Sequence, residues 1–114
     1  MGFVPISQAM TRPLDSPPID EVDLGAVLQA LADPHRRRVI VELARGPDEE
    51  RACVSFDLPV AKSTRTYHWR ALRNAGLIHQ RDAGNGTFVQ LRRDDLERRF
   101  PGLIETVARL SGAG

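Results

Sequence analysis

A mostly α fold with one small β-hairpin is what this sequence predicts, and three observations carry the prediction. Apolar residues recur at helical spacing, as in Leu24, Val27, Leu28 and Leu31 at i, i+3, i+4 and i+7. Two strand-like pieces, Leu77 to Arg81 and Thr87 to Leu91, flank the turn sequence Asp82-Ala83-Gly84-Asn85-Gly86. The length of 114 residues, with 41% apolar and 27% charged side chains, suits one ordinary globular domain and leaves no room for two. No apolar run approaches the ~20 residues that cross a bilayer, so a membrane protein is not expected. The opening MGFVPISQAMTRP shows no export or organelle signal, and the single cysteine, Cys53, allows no internal disulfide. Both point to the reducing cytoplasm.

Taken in order, residues 1–18 contain Pro5, Pro13, Pro17 and Pro18 without an apolar period, which predicts a flexible or extended arm; the folded domain is expected over residues 19–111. The first helix is expected from about Asp20 to Ala32, with acids in its first turn. Asp33-Pro34 then restarts the chain, Asp as N-cap and Pro at the first helical position. The second helix runs to about Ala44, burying Val39, Ile40 and Leu43, and Gly46-Pro47 stops it. After a polar loop at Asp48 to Arg51, the piece CVSFDLPV reads as a short helix and turn, because Pro59 forbids a long one. Lys62 to Ala75 is the third clear helix, closed by Gly76. In the hairpin, Gly84, Asn85 and Gly86 are expected to supply positive φ. Asp94-Asp95 caps a final helical region, which Pro101 either kinks or divides, with Leu103, Ile104, Val107 and Leu110 on its apolar face. The order helix, helix, short helix, helix, hairpin, helix is that of a winged helix-turn-helix.

The net charge of +1 conceals an uneven distribution. Residues 61–81 hold five basic side chains and no acid. A local field of this kind steers a phosphate backbone toward a surface whatever the total charge. Within Lys62 to Ala75, Trp69 and Leu72 fall on one side with Arg65 one turn earlier, while Lys62, Ser63, Thr66, Tyr67 and Arg70 fall on the other. That second face is wholly polar or cationic and carries the donors that bind phosphates and read base edges. A solvated surface helix is the plain alternative. The missing acids and the short hydroxyl side chains argue against it.

The strings LADPHRRRVIVELARG and KSTRTYHWRALRNAGLIHQRDAGNGTFVQLR resemble, in that order and spacing, the opening signature and the recognition helix and wing of the ArsR/SmtB repressors. The resemblance covers about residues 24 to 110. It implies a homodimeric winged-helix repressor that dimerises through its first and last helices and leaves its operator when an effector binds. The form PVAKSTRTYHWRALRNAGLI is most similar to the branch without obvious metal ligands. By the resemblance, Ser63, Thr66, Tyr67 and Arg70 are groove contacts and Lys62 lies near the phosphates, within a DNA-binding stretch that also includes Thr64 and Arg65; Arg81, Asn85 and Gly86 belong to the wing. Two departures stand out. Ala61 replaces a common capping Ser, leaving the helix start to Ser63 or to solvent. Arg65 replaces Leu or Val, so its stem either snorkels past Trp69 or makes a further phosphate contact. The dimer interface is expected at Leu24, Val27, Leu28, Leu31, Leu103, Ile104, Val107 and Leu110, since two amphipathic helices at the chain ends leave more apolar surface than one small core covers.

Metal sensing, cofactor binding and catalysis have little support in the sequence. Cys53, His35, His68 and His79 are scattered without ligand spacing, so no metal and no cofactor is expected. His68 is read as a partly buried helix residue, His35 as an exposed first-turn residue, and Cys53 as a small buried side chain without a resolving partner in its own chain. Cys53 with His68 is the one conceivable nucleophile and base, and nothing supplies an orienting third group, so an enzyme is not expected. The expected partners are a double-stranded DNA operator and a second copy of the chain, the effector being unspecified. The alternative from another class is a winged-helix interaction module whose basic helix binds an acidic protein.

Overall fold

Asp33-Pro34 divides the helical half of the chain as its residues predict. In the computed structural model, which describes residues 12–112, Asp33 ends helix α1 (Leu24–Ala32) and caps helix α2 (Pro34–Arg45). Its carboxylate accepts from the amides of His35 and Arg36 at 2.8 and 3.1 Å. α1 starts later than expected. Asp23 takes the cap position and accepts from the Ala26 amide, so Ile19–Glu21 forms a separate 3-10 turn and Val22 between them is extended and buried. The last four carbonyls of α1, which the helix leaves open, go to arginines: Arg36 donates to Gln29 and Ala30, and Arg37 to Leu31 and Ala32. α2 stops at Gly46, whose amide still donates to the Glu42 carbonyl.

The sheet is larger than a hairpin. Strands β3 (Ile78–Asp82) and β4 (Thr87–Leu91) pair antiparallel, Ile78 opposite Leu91 and Asp82 opposite Thr87. Two strands of two residues, β1 (Arg12–Pro13) and β2 (Arg51–Ala52), add to its edges in the order β1-β3-β4-β2. Both fill edge groups that an isolated hairpin leaves unpaired, and both are too short to show a period in sequence. Of the expected arm, residues 1–11 lie outside the described residues. Arg12 and Pro13 pair with Asp82 and Arg81, and the Leu14 amide donates to the Gln80 carbonyl at 2.8 Å, so this part is held on the sheet.

The piece CVSFDLPV opens as a short helix, of the 3-10 kind, over Cys53–Phe56, and Asp57 ends it in the left-handed region at φ 47°. Two local expectations need correction. In the hairpin turn only Gly84 has positive φ; Asp82 Oδ1 accepts the Gly84 amide and the Gly86 carbonyl accepts that of Ala83, which closes the turn without Asn85 or Gly86 entering the left-handed region. Asp94 and Asp95 do not cap helix α4 (Arg93–Arg99), whose cap position is Arg92 with no side-chain acceptor. Asp95 instead pairs with Arg92 and Arg98. Pro101-Gly102 then separates α4 from helix α5 (Leu103–Leu110), Gly102 turning the chain at φ 81°.

Helix α3 (Lys62–Asn74) lies against this frame by Trp69 and Leu72, the expected side; Trp69 meets the Phe56 ring edge-on at 5.4 Å between centroids. Ile40, Leu72, Leu77, Ile78, Val89 and Leu96 form the fully buried centre, so both helical layers and the hairpin share one core.

Candidate nucleic-acid interface

The outward face of α3 is built by subtraction. With His68, Trp69 and Leu72 buried, the helical period leaves Lys62, Ser63, Thr64, Thr66, Tyr67 and Arg70 exposed, Tyr67 by 60%. Thr66 donates its hydroxyl to the Lys62 carbonyl one turn back, and the Arg36 guanidinium stands 5.9 Å from the centre of the Tyr67 ring. Ala61 occupies the cap position with no side-chain acceptor, so the first amides of the helix stay open to solvent; Ser63 does not cap it. These amides and the two cations of the face suit an anion.

The basic stripe is narrower in space than in sequence. Arg65 is half-buried and donates to the Val60 carbonyl at 2.9 Å, so its stem runs along the domain and its charge is turned back from the outer face. Arg73 donates to Gln80 at 2.6 Å. Arg81, expected in the wing contact set, is held by Glu50 at 2.8 Å and lies over the Phe88 ring, the carboxylate raising its pKa. Among the described residues, Lys62 and Arg70 alone of the five have side chains without a hydrogen bond or ion pair. Asn85 and Gly86 are exposed at the wing tip, beside Gly84.

Elsewhere the arginines are committed to the fold. Arg93 closes the end of α2 through the carbonyls of Leu43, Ala44 and Gly46, and Arg99 holds the Val22 carbonyl. Buried Arg92 donates to Pro17 and pairs with Asp95. A sequence scan counts all of these as charge. Their acceptors, which are distant in the chain, are what removes them from a binding surface.

The expected dimer residues separate into two groups. Val27 and Leu31 are corrected: at 0% and 5% exposure they lie in the core of their own protomer, because α1 packs this face on α2. Leu24, Leu28 and Leu110 are exposed, and Leu103, Ile104 and Val107 are half-covered. No residue of α5 is fully buried although the helix is strongly amphipathic.

Cys53 and the histidines occupy separate environments. The Cys53 thiol is half-buried, accepting from Gln80 Nε2 at 3.8 Å; burial pushes its pKa up, opposed by hydrogen bonds from Thr87 and Gln80. His68 is buried between Arg36 and Asp33, and His35 is half-buried rather than exposed, its ring 6.1 Å from that of His68. Among the described residues no three His, Cys, Asp or Glu side chains converge on a metal position, and no helix is long and apolar enough to cross a membrane.

No known protein-family profile matches the chain. It is similar to an uncharacterized HTH-type transcriptional regulator, YceK, of Bacillus subtilis, with 32% identity over 89 residues that span 77% of this chain and 89% of the relative. It is also similar to the HTH-type transcriptional regulator Rv2034 of Mycobacterium tuberculosis, with 38% identity over 63 residues, 55% of this chain and 58% of that one.

Proposed function

Because the chain belongs to the HTH-type transcriptional regulators and is thus a DNA-binding regulator, we propose that it is a repressor of the ArsR/SmtB type, in the branch without metal ligands, acting as a homodimer on an inverted-repeat operator. The observation that carries this reading is the outer face of α3. It shows Lys62 and Arg70 without internal partners, Ser63, Thr64, Thr66 and Tyr67 between them, and no carboxylate, while Arg65 and Arg81 of the same stretch are spent on the fold. We assign base-edge contacts to Thr66, Tyr67 and Arg70 and phosphate contacts to Lys62, Ser63 and Thr64. Arg65 serves packing in this reading. Asn85 and Gly86 at the wing tip lie against the backbone or minor groove, with Arg81 supporting the wing through Glu50.

Residues 19–111 carry both binding and dimerisation. The second copy covers Leu24 and Leu28 of α1 and Leu103, Ile104, Val107 and Leu110 of α5, the apolar side chains the protomer leaves open. Two α3 helices then enter successive major grooves ~34 Å apart, which is why an inverted repeat is expected.

The test is an electrophoretic shift and footprint on the DNA upstream of the protein's own gene. A footprint over two related half-sites, lost when Tyr67 and Arg70 are both replaced by Ala, is the expected result. Binding to polyglutamate with no shift of any DNA would instead mark an acidic polypeptide as the partner.

A further inference from the structure

Between α3, the hairpin and the segment following β1 lies a cleft of about 280 Å³, lined by Leu14, Thr66, Trp69, Arg70, Arg73 and Gln80. Arg73 is the group in it that the fold does not explain. A guanidinium carries five N–H donors. Among the described residues Arg73 uses one of them, Nη1, which donates to Gln80 Oε1 at 2.6 Å, while its Nε is buried with no acceptor. Among the described residues no carboxylate pairs with it. Arg36, by contrast, uses three nitrogens, on Ala30, Gln29 and His68. Nη2 of Arg73 makes no hydrogen bond among the described residues, and an incompletely bonded cation at the wall of a cleft suits an anion.

We infer that this cleft seats one backbone phosphate of bound DNA, bonded by Arg73 beside Arg70, whose guanidinium reaches past it to a base edge. The inference rests on the reading of α3 as the groove helix and adds a contact that the outer face alone does not reveal. If α3 occupies a major groove and the hairpin approaches the neighbouring minor groove, the phosphate strand dividing the two grooves passes between helix and hairpin, where the cleft lies. Arg70 stands one turn before Arg73 on the same side of α3, exposed and without a partner. Thr66 adds no proton, its hydroxyl being given to Lys62. Gln80 sets the aim of Arg73: its amide nitrogen faces the Cys53 sulfur, which leaves Oε1 toward the guanidinium. Arginine suits the task because its planar fork binds phosphate oxygens in pairs.

The experiment measures anisotropy of a fluorescein-labelled random-sequence duplex titrated with the whole protein over a range of salt concentrations. Arg73→Met should lower the slope of log affinity against log salt by about one for each protomer bound, and weaken random and upstream DNA by the same factor. Arg73→Lys, which keeps the charge, should retain most of the slope. A second measurement needs no variant: saturating duplex should protect Arg73 of the native protein from phenylglyoxal, read by mass spectrometry. An unchanged slope in a folded Arg73→Met protein, or modification of Arg73 at equal rates with and without DNA, overturns the seat and leaves the reading of α3 intact. If the native protein binds no duplex at all, that reading fails and the seat fails with it.

Discussion

Arg36 donates from Nη1 to Nδ1 of His68 at 3.2 Å, and this bond joins α2 to the buried side of the groove helix. The same guanidinium closes α1 through the Ala30 and Gln29 carbonyls, so three helices meet on one side chain. Accepting at Nδ1 requires a neutral ring with its proton on Nε2, the atom 3.9 Å from Asp33. Burial holds His68 below its ordinary value of 6.5, and the neighbouring Arg36 and His35 add to this, against the pull of Asp33.

Stability should therefore fall on mild acidification. The unfolded chain takes up this proton first as pH drops, so the contribution of His68 is intact above about 6.5 and declines from there to its lower folded value. His79, also shifted down by burial, acts in the same sense. His68→Gln keeps an acceptor for Arg36 and removes one titration. Thermal midpoints measured between neutral and mildly acidic pH should fall less steeply for His68→Gln than for the native protein; parallel curves would show that the pair does not control the acid response.

Arg70 and Tyr67 carry the next prediction. Arg70→Ala should cost ~1 to 3 kcal/mol of specific binding if the guanidinium reads a base, with relaxed preference at one operator position. Equal losses on all sequences would reassign it to phosphate alone. The Tyr67→Ala, Arg70→Ala double variant, folded by circular dichroism and still footprinting the operator, would refute the assignment of this face.

A glycine fixes the joint between helix and wing. Gly76 has φ 87°, and a Cβ there would stand 2.4 Å from Val22 Cγ2, a side chain that is itself 2% exposed. Gly76→Ala combines left-handed strain with overpacking, each about 1–3 kcal/mol. Thermal denaturation should show the midpoint lowered by roughly 10–20 °C. A shift of a degree or two would mean that Val22 and the turn after it yield easily.

How much of this was legible in the residues depends on the range of the interaction concerned. Asp33-Pro34, Gly46 and Gly76 act on their own neighbours, and they mark helix ends where the structure has them. The spacing of Trp69 and Leu72 likewise orients α3 correctly. Arg81 reads as a free cation, and Arg65 stays open between a snorkelling stem and a phosphate contact, because their acceptors, Glu50 and the Val60 carbonyl, compete through folded geometry that periodicity does not encode. Val27 and Leu31 share a stripe with Leu24 and Leu28, and only the position of α2 determines which half of the stripe is consumed inside the protomer. Arg73 reads as one more charge in a basic run; its importance rests on guanidinium donors that Gln80 alone does not satisfy among the described residues, which sequence does not display.

The exposed half of that stripe should hold the dimer. Leu28 is 49% and Leu110 72% exposed, so Glu at both positions disturbs little inside the protomer while burying charge in any apolar interface. Sedimentation should show the Leu28→Glu, Leu110→Glu protein as a monomer where the native chain is a dimer. Its affinity for a two-half-site operator should fall ~100-fold or more through the loss of linked binding. A double variant that sediments like the native protein would place the interface elsewhere.

Cys53 is expected to be dispensable for DNA binding. A sensing thiol needs a lowered pKa and access, whereas this one packs against the core and burial raises it, outweighing the hydrogen bonds of Thr87 and Gln80. Cys53→Ser keeps a group that Gln80 can donate to, so the loss of stability should lie near the lower end of the ~1 to 3 kcal/mol typical of a buried polar change. Operator affinity by anisotropy should match that of the native chain, and zinc, cadmium, arsenite and peroxide should each leave the complex intact at concentrations that do not unfold the protein. Release of the native complex by a metal or an oxidant, with the Cys53→Ser complex resistant, would identify the thiol as a switch and overturn this prediction.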